Sequence, residues 1–202
     1  MKLPFLALPL GFTTVKTLTH KRFQQWLAVY FYVIVAAAIV VCINYLFHFD
    51  TLNEQLTKGQ PIPAPLRDHI RFSLEMAFAV VVGIYLWNKK FSFGLRNEKY
   101  VLGAGILFLT IFIHVFAVRS GILTMYIAFI VMILYWLFTK KAYLQGIVAL
   151  IVLVGFAISA VMFIPSLHAR MLYFKYEMDL IKIGELHPEH SDAQRLLSIQ
   201  YG

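Results

Sequence analysis

Long apolar runs broken by short charged connections set the pattern of this chain. Five of them stand out: Trp26–Phe49, Ile70–Asn88, Tyr100–Val118, Ile122–Thr139 and Leu144–Ile164. A hydrocarbon core about 30 Å thick takes roughly 20 helical residues to cross, and each run reaches or approaches that length. The pattern therefore predicts an all-α fold, a polytopic transmembrane bundle of about five spans within residues 1–167. Residues 168–202 are expected to open a region outside the membrane. The apolar run Leu3–Phe12 is too short to span and ends in no small-residue cleavage site. It reads as the tail of an earlier helix, so the chain is expected to be a portion of a longer protein.

The polar connections set the orientation. One alternating set carries Lys2, Lys16, Lys21, Arg22, Lys89, Lys90, Arg96, Lys99, Lys140 and Lys141, with Glu98 as its only acid. In the other set, Lys58, Arg67, Arg71, Arg119, Arg170, Lys175, Lys182 and Arg195 are offset by acids such as Asp50, Glu54, Asp68, Glu75, Glu177 and Asp179. Lys and Arg accumulate in cytoplasmic connections, so the first set and the N-terminus are assigned to the cytoplasm. Trp26, Trp87 and Trp136 fall near the cytoplasmic ends of spans one, two and four, where aromatic belts form.

The outer side then has three features. The Asp50–His69 connection carries Pro61, Pro63 and Pro65, which favour a stiff extended segment. A tight turn, Arg119-Ser120-Gly121, joins spans three and four; Gly121 supplies conformational freedom there and Ser120 is placed to cap the next helix. After Pro165, the residues Leu172, Tyr173, Tyr176, Leu180 and Ile183 recur at helical spacing, which predicts an amphipathic helix on the membrane surface. Ser191-Asp192-Ala193-Gln194 matches a capping box and predicts a further helix.

Composition agrees. The chain is 60% hydrophobic and 14% charged, against about 45–50% and 25% in soluble domains, and its mean hydropathy is +0.74. The net charge of +8 sits in the connections and does not mark a nucleic-acid binder. The single cysteine, Cys42, excludes an intrachain disulfide and a cysteine metal site.

Several residues are candidates for chemistry. Arg119 is the sole charge in the outer hairpin, with no acid near it in sequence; a guanidinium at a membrane edge suits either a phosphate or snorkelling to headgroups. Arg195, in the first turn of the last predicted helix, opposes its dipole and either pairs with Asp192 or contacts an anion. His69 and Arg71 enter span two from outside, where Glu75 lies one turn beyond Arg71 and is a possible partner. His114 is ionisable within a span, and a bond to a neighbouring helix is its simpler reading. His187 and His190 lack further ligands, so no metal site is expected, nor is any cofactor.

The run Ile113-His114-Val115-Phe116-Ala117-Val118-Arg119-Ser120-Gly121-Ile122-Leu123 resembles the "xRSGLL" hairpin of the bacterial O-antigen ligase and polymerase superfamily. The segment Pro65–Ser73 is similar to an outer-loop segment of one branch, and Ser191-Asp192-Ala193-Gln194-Arg195-Leu196 looks like the family's "SDxxR" element. The resemblance implies an inner-membrane glycan transferase. It would move a glycan from an undecaprenyl-diphosphate carrier to lipid A-core sugar (ligase) or to another glycan (polymerase), on the periplasmic face, in cell-surface polysaccharide biosynthesis. It implies that Arg119 and Arg195 hold the diphosphate, with Arg71 and His69 as further contacts. The family's periplasmic histidine base has no counterpart here, and family members have more spans than these five. Two readings of other classes are a transporter or flippase component, which favours broken helices near the midplane, and a non-catalytic scaffold.

The orientation is directly testable. In a Cys42→Ala background, Gly59→Cys and Ser120→Cys should react with a membrane-impermeant thiol reagent in intact cells, and Phe93→Cys only after lysis. Labelling of Phe93→Cys in intact cells contradicts the assignment.

Overall fold

The computed structural model describes residues 19–58, 60–65, 68–94, 97–141 and 143–183. They form seven helices: α1 (His20–Phe47), α2 (Phe49–Thr57), α3 (His69–Asn88), α4 (Glu98–Phe116), α5 (Arg119–Lys140), α6 (Tyr143–Phe163) and α7 (Pro165–Ile183). Among the described residues there is no strand, and the fold is an all-α bundle. Five helices, α1, α3, α4, α5 and α6, are long and apolar enough to cross a membrane. The chain is a membrane protein.

Helix ends follow local chemistry. Asp68 caps α3, its Oδ1 accepting the Arg71 N–H at 3.0 Å. α3 stops where Lys90 turns left-handed, and α5 stops at a left-handed Lys141. α1 begins six residues before its apolar run and breaks at His48, whose N–H returns to the Asn44 carbonyl. Trp26, Trp87 and Trp136 are all exposed near helix ends, and the Lys99 ammonium lies 5.1 Å over the Trp87 ring. Glu98, the lone acid of its set, is buried; its Oε2 accepts the Ser92 hydroxyl at 2.8 Å and the Phe93 N–H at 2.6 Å, closing the α3–α4 connection.

α3 is the centre, packed by α1, α4 and α5. Half of its apolar window is buried, against 11% for α5 and for α6, which lie at the periphery. Lipid tails are as apolar as leucine, so close packing rather than removal from water must hold such helices together. Small residues provide it. The Phe31 ring of α1 sits where a Cβ on Gly83 of α3 would lie 2.7 Å away and one on Gly105 of α4 2.9 Å away.

Two expectations are corrected. The Asp50–His69 connection is not extended throughout: it opens with α2, because Leu52 and Leu56 recur at i,i+4 and join Ile62 in the core, and Tyr45 of α1 exchanges hydrogen bonds with Asn53. Residues 61–64 are non-helical, as their prolines require. The α4–α5 turn also differs. Ala117, not Gly121, takes the left-handed conformation (φ 53°), and Val118, not Ser120, is the N-cap. Gly121 instead permits contact: a Cβ there would lie 2.6 Å from Ser73 Cβ and 2.8 Å from the Ser73 carbonyl oxygen of α3. Because that neighbour is backbone, it cannot yield without moving a helix.

Gly121→Ala should therefore cost about 1–3 kcal/mol by overpacking, read as a lowered unfolding midpoint in bicelles. Gly155→Ala, where an added Cβ meets nothing within 4 Å, should leave the midpoint unchanged or raise it, since Ala is the better helix former. Equal behaviour of the two variants contradicts the assigned contact.

Candidate functional site

The Ser73–Gly121 contact brings together the first turns of α3 and α5. Both helices start at this end of the bundle, so both N-termini point the same way, and the Ser73 and Ser120 hydroxyls lie 3.5 Å apart. Each helix N-terminus carries roughly half a positive charge. α3's is offset by Asp68. α5's has no side-chain cap and holds no acid in its first turn, and its first residue is the exposed Arg119. One guanidinium and the backbone N–H groups of the first turn of α5 thus meet at one corner of the bundle, and groups of this kind are the ones that hold anions.

The predicted site residues divide as follows. Arg119 and Arg71 stand on adjoining helix ends, two residues from Ser73 in one case and one from Ser120 in the other. His69, the first residue of α3, is half-buried beside them. The partner of Arg71 is Asp68, at 2.9 Å from Nε to Oδ2, rather than Glu75 as its spacing allowed. The reason is that Asp68 already faces Arg71 as the helix cap. The Arg71 side chain is 83% exposed, so the pair contributes little stability. Glu75 instead accepts the Tyr30 hydroxyl on its backbone oxygen at 3.1 Å. Arg195, His187, His190 and the capping box at Ser191 lie outside the described residues. Among the described residues no cluster of three or more His, Cys, Asp or Glu side chains could hold a metal.

His114 is buried (1% exposed) and structural. Its Nδ1 lies 2.8 Å from the Thr110 carbonyl, which only accepts, so Nδ1 carries the proton. Nε2 then accepts the Tyr126 hydroxyl at 2.9 Å. The imidazole also meets the Phe156 ring edge-on, with centroids 5.1 Å apart. One neutral side chain thus joins α4, α5 and α6 below the Arg119 turn. Beneath it runs an apolar groove of about 330 Å³, lined by residues of the same three helices, including Leu107, Thr110, Phe129, Met132, Val152 and Phe156. The Thr110 hydroxyl is spent on the Ile106 carbonyl at 2.8 Å.

Sequence reasoning missed Ser73 and Ser166. Ser166, in the first turn of α7, is fully buried and donates to the Val115 carbonyl at 2.6 Å. Its only sequence signal is a serine directly after Pro165. Compared with known proteins, the chain matches no known family, no curated sequence and no solved structure.

A double-mutant cycle on His114→Phe and Tyr126→Phe should return a coupling energy of about 0.6 kcal/mol, with about 1.7 as its upper end, the range of hydrogen bonds between membrane helices. Strict additivity contradicts the assigned hydrogen bond.

Proposed function

We propose that this chain is a membrane-embedded transferase that moves a glycan from an undecaprenyl-diphosphate carrier to an acceptor at the outer face of a bacterial inner membrane. Ligation onto lipid A-core is preferred to polymerisation. The observation that carries the reading is the Arg119 corner: a planar guanidinium on an uncapped helix N-terminus, locked to the start of α3. A diphosphate leaves when its growing charge meets fixed cations, and this corner supplies fixed positive charge without a metal. The apolar groove of α4, α5 and α6 supports the same reading, since the carrier has a hydrocarbon tail and the groove offers it no polar group. The motif Val118-Arg119-Ser120-Gly121 is the residue-level resemblance to the ligase and polymerase superfamily.

Roles follow from placement. Arg119 binds the diphosphate through two parallel N–H donors. Arg71, tied to Asp68, contributes by opening its exposed guanidinium toward the same anion, and His69 flanks it. Arg195 is a second arginine for the diphosphate. The acceptor hydroxyl needs a base, which is assigned to no residue here. Continuous helices at α1 and α3–α6 give no support to a transporter, which favours broken ones.

Arg119→Ala should lower glycan transfer at least about tenfold. A charge-assisted hydrogen bond contributes about 1.5–3 kcal/mol, and 1.4 kcal/mol is a factor of ten. Arg119→Lys should recover only part, because an ammonium lacks the planar fork. The assay is glycan accumulated on lipid A-core at matched protein level. Wild-type transfer by both variants overturns the reading, and full activity of Lys alone reduces Arg119 to a headgroup anchor.

A further inference from the structure

The α4–α5 turn is gripped from two sides. On one side Gly121 meets the Ser73 backbone of α3. On the other, Ser166 of α7 donates to Val115 O at 2.6 Å across 51 residues of sequence. Ala117 at the apex packs with Ala160 of α6 and Leu167 of α7. Between these holds the chain reverses in two residues, Ala117 and Val118, and the next residue is Arg119.

The Val115 carbonyl explains why a hydroxyl is needed. It belongs to the last turn of α4, where carbonyls lose their intrahelical partners. The left-handed Ala117 returns its N–H to His114 O at 3.1 Å, one carbonyl earlier. A carbonyl buried away from water is costly to leave unsatisfied, and Ser166 supplies the donor. Ser166 follows Pro165, the first residue of α7, and α6 and α7 are separated only by Ile164. Consecutive bonds, Ile164 N–H to Ala160 O and His168 N–H to Ile164 O, carry the chain across that junction. The serine is thus held by both helices.

We propose that Ser166 is a positioning residue through which α7 sets the Arg119 turn against α3, so that the seating of α7 fixes where the guanidinium points. The inference rests on the diphosphate reading for its functional consequence but not for its structural content. With α7 seated, the Arg119 turn is held; with the Ser166 bond lost, the turn relaxes away from Ser73.

Two measurements separate the inference from the reading it builds on. In the full chain with Cys42→Ala, the pair Ser73→Cys and Ser120→Cys should cross-link readily under a membrane-permeant oxidant. Adding Ser166→Ala should slow cross-linking several-fold. Adding Ser159→Ala should not, although it removes a similar hydroxyl-to-carbonyl bond, Ser159 to Gly155 at 2.7 Å, confined to α6. An unchanged rate with Ser166→Ala overturns the proposal. The second measurement is transfer: Ser166→Ala should lower it several-fold with Arg119 present and add no further loss to Arg119→Ala. Additive losses would mean that Ser166 acts other than through Arg119 and also overturn the proposal. Slowed cross-linking with undiminished transfer upholds the positioning and refutes the diphosphate role of Arg119.

Discussion

The approach of α5 to α3 at Gly121 and Ser73 is the constraint on which the rest of the structure depends. α3 is the hub, and α1, α4 and α5 pack on it. α5 can join only if its first turn lies against the α3 backbone, and that requires a residue without a side chain. The turn must then reverse the chain in two residues, which puts Ala117 in a left-handed conformation that costs a non-glycine residue roughly 1 kcal/mol. Strain of that size persists only where the surroundings over-determine it. Here Ser166, Ala160 and Leu167 do so. Arg119 stands at the end of this sequence of constraints, and its position follows from packing behind it.

Among the described residues, the buried polar residues Ser73, Glu98, His114 and Ser166 each bond a backbone group. His114 uses both ring nitrogens, Ser166 serves the end of α4, and Glu98 closes the α3–α4 connection. These residues are ionisable or polar in an apolar setting, the usual mark of chemistry, yet their partners give them structural work. The corner at Arg119 differs because its helix N-terminus has no side-chain cap.

The helices were legible in the sequence because a bilayer demands runs of fixed length, and the five spans differ from the apolar runs chiefly at their ends, as α1 does by starting at His20. The short α2 was not legible: Leu52, Leu56 and Ile62 read as a mixed connection until the bundle supplies a surface for them. The turn expected at Arg119-Ser120-Gly121 lies two residues earlier, at Ala117 and Val118, and Ser120 and Gly121 belong to the first turn of α5, since turn chemistry on its own carries no information about a helix packing from elsewhere in the chain. The Arg71 partner was misjudged because spacing offers Asp68 and Glu75 alike, and only the capping geometry of Asp68 decides between them. Ser166 had no local signal beyond its place after Pro165, because its partner lies 51 residues away.

The central claim is that the Arg119 corner recognises a diphosphate on a lipid. It is tested most directly by native mass spectrometry of the protein in lipid nanodiscs, titrated with long-chain isoprenyl diphosphate, isoprenyl monophosphate and isoprenol. The account predicts retention in the order diphosphate, monophosphate, alcohol, with inorganic diphosphate competing against the first. Equal retention of all three, unaffected by inorganic diphosphate, would show that only the apolar groove holds the lipid, and would contradict it.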